Sequence, residues 1–156
     1  MNKKKLKILG IMLAFGICFP LHFLYDKFPS CITSIFAPVN ESILEHMKIL
    51  FGSIILSGVI QKVIILIKKE KINNICFSNF VAAISSIPIF LVMFLPIYSI
   101  IGENIIITIF IMLLAIIIAE FISYIIMNKK DFKLEKITII FVILVYVIFM
   151  LLTKLF

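Results

Sequence analysis

Apolar residues run in five long stretches along this chain, and the charged residues cluster between them. The stretches cover approximately residues 6–24, 43–67, 75–98, 105–127 and 137–155. A helix rising 1.5 Å per residue needs roughly 20 mainly apolar residues to cross the hydrocarbon of a bilayer. Each stretch therefore predicts one span. The connections are short, so consecutive helices should run antiparallel. No separate soluble domain, low-complexity linker or convincing internal repeat interrupts the pattern. The expected fold is all-α: one transmembrane domain over residues 1–156, an integral membrane bundle of five helices.

Lysine placement gives the bundle a direction. Lys3, Lys4, Lys5 and Lys7 precede or open the first span, and Lys68, Lys69 and Lys71 follow the second, with Lys62 just inside it. Lys129, Lys130, Lys133 and Lys136 separate the fourth span from the fifth. The alternate connections hold only Lys27 and Lys48 in one and none in the other, and Lys154 stands near the end. Loops rich in lysine stay in the cytoplasm. The expected topology is N-terminus inside and C-terminus outside, in the cell (plasma) membrane, multi-pass.

Composition agrees. Hydrophobic residues make up 63% of the 156, charged residues 15%, and mean hydropathy is +1.27. A soluble domain is about 45–50% apolar and about 25% charged. The net charge of +7 does not point to nucleic acid. All fifteen basic residues are Lys, with no Arg for bidentate phosphate or guanine contacts, and most flank spans where they meet anionic headgroups. The expected partners are the lipid bilayer and either further copies of the chain or a larger membrane complex. Cys18, Cys31 and Cys76 form no disulfide framework. On this topology Cys31 and Cys76 face opposite sides. The first stretch is long for a signal peptide and no A-x-A-like site follows, so it is read as a retained span.

Candidate chemistry gathers between the first two spans, in Pro38-Val39-Asn40-Glu41-Ser42-Ile43-Leu44-Glu45-His46-Met47-Lys48. Asn40 suits a helix N-cap and Glu41 its first turn. Lys48 is expected at the outer interface. His22 and Asp26, Glu41 and Glu45, and Ser42 and His46 are each spaced i, i+4 and share a helix face. Glu103, before the fourth span, falls at the same outer level. His22, Glu41, Glu45 and His46 are the ligand types of a Zn²⁺-like site and of general acid–base work. A divalent metal is nevertheless the less favoured reading, because caps, dipole partners and a Glu45–Lys48 pair explain the same residues. No H-E-x-x-H, C-x-x-C or G-x-S-x-G stands in the chain.

Deeper in the bilayer, Glu120 is the clearest charge. An intramembrane carboxylate is a proton- or cation-site hypothesis by default. The favoured expectation is the plainer one, an ion pair with Lys62 or a neutral acid bonded to Ser123 or Tyr124. Ser53-x-x-x-Ser57, Ala82-x-x-x-Ser86 and Ala115-x-x-x-Ala119 allow close helix approach. Pro20, Pro88 and Pro96 each remove a helical hydrogen bond.

The segment P-V-N-E-S-I-L-E-H-M-K resembles the hallmark of a family of small bacterial membrane proteins, whose usual form is P-V-N-E-S-[I]-W-E-H-x-K. His22-x-x-Tyr25 and Ser123-Tyr124 resemble further features of that family. Leu44 stands where the family usually has Trp, which removes an interfacial aromatic but no candidate ligand. The resemblance implies a membrane protein and supplies no activity. Three functions stay open: solute or cation binding or transport, a metal-dependent hydrolase with an outer-face His/Glu site, and an accessory subunit.

Overall fold

The computed structural model describes residues 2–40 and 42–155. Seven helices follow one another: α1 (Lys3–His22), α2 (Leu24–Lys27), α3 (Thr33–Phe36), α4 (Ile43–Ile67), α5 (Ile75–Ile101), α6 (Ile105–Met127) and α7 (Glu135–Leu155). Five of them, α1, α4, α5, α6 and α7, are long and apolar enough to cross a membrane. α2 and α3 are single turns in the connection that precedes α4. One end of the bundle carries the N-terminus and the lysine-rich connections; the opposite end carries the segment from Pro38 to Lys48 and is called here the motif end.

Local chemistry sets the helix starts. Asn2 Oδ1 accepts from Lys4 N at 2.9 Å, and Asn104 Oδ1 accepts from Ile106 N and Ile107 N at 3.1 and 3.2 Å. These caps satisfy N–H groups that a helix leaves without partners. At the head of α4 the cap is Ser42, whose Oγ accepts from Glu45 N at 3.4 Å. Asn40, expected in that role, sits two residues earlier and accepts from Ser42 N at 3.0 Å. A cap reaches only the second or third residue of the helix, and the chain turns once more before α4 begins. α5 continues through Pro88 and Pro96, and Pro20 lies two residues before the end of α1.

α1, α4, α5 and α6 form the core: α5 packs along α6, α4 lies against α1 and α5, and α1 closes onto α6. Small residues make this approach close. Ser53, Ser57, Ala82, Ser86, Ala115 and Ala119 are all fully buried, so the three small-x-x-x-small patterns face the interior. α7 is peripheral. Ile139, Ile140, Ile143 and Leu151 stay exposed on it, while Phe149 and Thr138 turn inward.

Gly58 lies at a close crossing of α4 and α5. A Cβ there would lie 2.7 Å from Asn79 Nδ2 and 2.8 Å from Asn79 Cβ. Gly58→Ala should therefore force the helices apart and cost about 1–3 kcal/mol, the usual range for overpacking. Unfolding by SDS titration checks this.

Candidate functional site

At the motif end, residues 28–40 fold back over the start of α4. Lys48, expected to reach the headgroups, is instead one of the most enclosed side chains, at 1% exposure. Its Nζ donates to Ser34 O at 2.8 Å and pairs with Glu45 Oε2 at 2.7 Å. The i, i+3 pair is therefore present, but under the loop rather than beside lipid. Glu45 is fully engaged there. Oε2 accepts from Val39 N at 2.8 Å, and Oε1 accepts from Thr153 Oγ1 on α7 at 2.8 Å. One carboxylate thus ties α4, the loop before it and the far end of α7 together.

The two histidines face elsewhere. His22 ends α1 and His46 lies in the first turns of α4, with ring centroids 5.4 Å apart and nearly perpendicular. His46 Nδ1 lies 3.0 Å from Ser42 O, which fixes that nitrogen as the donor and makes Nε2 an acceptor in the neutral ring. Both rings border a cavity of about 400 Å³ between α1, α4 and α6, with Glu103 and Thr108 on its rim and Cys18 and Met112 deeper in its wall. A smaller cavity of about 100 Å³ toward α5 shares His46, Glu103 and Thr108. Most of the larger cavity's wall is apolar, including Phe19, Phe23, Ile105 and Ile109.

At the lysine-rich half of the same helices the packing is closed by polar groups. Lys7 of α1 and Glu120 of α6 form an ion pair at 2.9 Å, with side chains 5% and 0% exposed. Lys7 Nζ also donates to Asn79 Oδ1 of α5 at 2.5 Å and to Gln61 Oε1 of α4 at 3.2 Å. Asn79 Oδ1 accepts in addition from Ser123 Oγ at 3.3 Å. Gln61 Nε2 donates to Ser57 Oγ, which donates to Gly10 O at 3.0 Å. Gly10 is required at that crossing, because a Cβ would collide with Gln61 Nε2 and lie 2.9 Å from Glu120 Oε1. All four core helices thus meet on one ammonium group. Among the described residues, Asn79 Nδ2 has no hydrogen-bond partner, and neither Glu120 oxygen accepts a hydrogen bond beyond its contact with Lys7.

A comparison with known protein families matches residues 1–155 to a family of unknown function, DUF6512. The chain belongs to that family. The DUF6512 match spans all five long helices, so the cavity and the buried polar seam both lie inside it. No curated protein and no solved structure matches the chain.

In this DUF6512 member the expected polar cluster divides into separate parts. His22, His46 and Glu103 share the cavity. Glu45 points away from them into its own pair with Lys48, and Asn40 and Ser42 serve the turn into α4. Asp26 is exposed on α2, and the helix breaks at Phe23, so His22 and Asp26 do not continue one helical face. Glu41 lies outside the described residues. Among those described, no three His, Cys, Asp or Glu side chains are grouped to hold a metal ion.

The expected Lys62–Glu120 pair is corrected. Lys62 instead meets Glu135, at the start of α7, at 2.6 Å and partly exposed. Adjacent helical residues point about 100° apart, and on α4 it is Gln61 that faces the core, fully buried. Glu120 takes Lys7, from the opposite end of the sequence. Gln61 and Asn79, unremarked in the sequence, carried a signal: uncharged polar residues set inside otherwise apolar stretches.

Proposed function

We propose that this chain is a membrane-embedded binding protein for a small amphipathic molecule, held in the cavity between α1, α4 and α6. The cavity itself carries this reading. Its volume of about 400 Å³ falls in the range of small-molecule sites, which are mostly apolar with a few placed polar groups. Here the apolar wall would take a hydrocarbon body, and His22, His46, Glu103 and Thr108 would meet a hydrogen-bonding head. By the lysine alternation the cavity lies on the non-cytoplasmic half of the membrane. The position suits a ligand that partitions into the bilayer and is gathered from it.

The absence of Trp from the sequence offers a direct test. Phe23→Trp places a single indole at the cavity rim, where Phe23 is 52% exposed. Phe110→Trp places one on the lipid face of α6, 59% exposed and outside the cavity lining. A brominated decanol should quench the rim indole along a saturable curve, and His46→Ala should weaken that curve by roughly tenfold, the loss of one good polar contact. The Phe110→Trp protein should show only linear quenching by probe dissolved in the micelle. Identical linear curves at both positions would remove the basis for a binding cavity.

A further inference from the structure

The cavity and the polar seam occupy two halves of the same helix pair. α1 contributes Cys18, Phe19 and His22 to the open half and Lys7 and Gly10 to the closed half. α6 contributes Thr108 and Met112 to the open half and Glu120 and Ser123 to the closed half. Between them, Ala14 on α1 and Ala115 and Ala119 on α6 are buried at full contact. The two helices thus part around a cavity at one end and are held at the other by the buried Lys7–Glu120 pair, with Lys3 of α1 also donating to Met127 O at the end of α6.

We propose that Lys7 and Glu120 form a proton-operated latch that holds the lysine-rich half of the α1–α6 seam closed. Binding of one proton from water converts the Glu120 carboxylate to the neutral acid and ends the ion pair. Lys7 lies only about one turn inside the start of α1, so its four-carbon stem lets the ammonium withdraw to the headgroups. Nothing else among the described residues holds the carboxylate. Among the described residues, α4 presents the neutral Gln61 and Ser57 to the pair, α5 presents the neutral Asn79, and α6 presents Ser123. Of the other cations on α1, Lys3, one turn before Lys7, is occupied with Met127 O and Asn128 Oδ1, and Lys4 and Lys5 are exposed; Lys62 on α4 is occupied with Glu135. Asn79 fits a seam built around a cation: its carbonyl oxygen faces Lys7, while its amide nitrogen is left against Gly58 without an acceptor.

The latch rests on the binding reading for its purpose, since opening the closed half would give the cavity's ligand a route to the other side. Its evidence is separate, and so is its test. Ser123, fully buried one turn beyond Glu120, is replaced by Cys in a Cys18→Ser, Cys76→Ser chain that keeps the exposed Cys31. The purified chain is treated with N-ethylmaleimide, and labelling at the two positions is read by peptide mass spectrometry. The ratio of the two cancels the reagent's own pH dependence. Lowering the pH from about 7.5 to about 5 should raise the ratio roughly tenfold. In Glu120→Gln the ratio should be high and indifferent to pH. His22 and His46 remain in that variant, so a pH response that survives there does not come from Glu120 and overturns the latch. A ratio that is low and flat in both proteins overturns it as well. If Glu120→Gln yields no monodisperse protein, the pH series is run on a His22→Ala, His46→Ala chain that keeps the pair, where loss of the rise in ratio overturns the latch and its persistence supports it. Saturable quenching with a flat labelling ratio would keep the cavity and remove the latch; the converse would do the opposite.

Discussion

Replacing Lys7 by Met is expected to lower the stability of the folded bundle by about 3–5 kcal/mol, the usual effect of stripping one member from a buried pair. The variant leaves Glu120, fully buried, without a cation. Asn79 and Gln61 lose their common donor at the same time. Glu120→Leu should cost less than Lys7→Met, because the ammonium that remains lies near a helix end and can reach headgroups, whereas the carboxylate lies about 10 Å from the end of α6. The double variant Lys7→Met, Glu120→Leu should recover most of the loss, since apolar replacement of a buried pair is often neutral or stabilising. Unfolding by SDS titration of all four proteins gives the cycle. Equal and additive losses would show that the two residues act independently, against the pairing described here.

Glu45→Ala should be comparably damaging, again about 3–5 kcal/mol, because Lys48 would be left buried beside Ser34 O with no counterion. Its effect should differ in kind. Glu45 Oε1 holds Thr153 on α7, and Oε2 holds the backbone at Val39. Limited proteolysis should therefore cut sooner in residues 28–40 and at the far end of α7 near Thr153, with the four core helices still protected. Thr153→Val isolates one strand of this, and should cost only about 1 kcal/mol, the net worth of a single hydrogen bond. If Glu45→Ala destabilised the chain without changing the cleavage pattern, the carboxylate would be a core group and not a tie between elements.

The sequence was informative where position along the chain decides the answer. Apolar length located five spans, and the small-residue spacings marked faces that are all buried. It was weaker where rotation about a helix decides. Lys62 and Gln61 are neighbours, yet only Gln61 reaches the core, and runs such as Ile-Ile-Leu-Ile give no periodic cue to tell one face from another. Long-range pairing was weaker still. Lys7 reads as one of four N-terminal lysines that set topology, and its burial depends on α6, which is made far later. Lys48 likewise reads as an interfacial lysine until residues 28–40 are seen to fold over it. His22 and His46 were legible as partners at one depth, since each stands near the same end of adjacent antiparallel helices. The cavity beside them was not, because it depends on how far α1 and α6 diverge.

The placement of Lys7 and Glu120 also has a bearing on how the bundle is assembled. The Glu45–Lys48 pair joins neighbouring turns and can close as soon as α4 is made, but the polar seam joins the first long helix to the fourth. In a membrane, which the five long helices are apolar enough to cross, insertion in chain order would leave α1 waiting with a lysine whose partner has not yet been synthesised. Its shallow position makes that wait tolerable, since the ammonium can stay among headgroups until α6 arrives. Glu120 then enters as the last component of a four-helix junction, and α7 follows onto a core already joined.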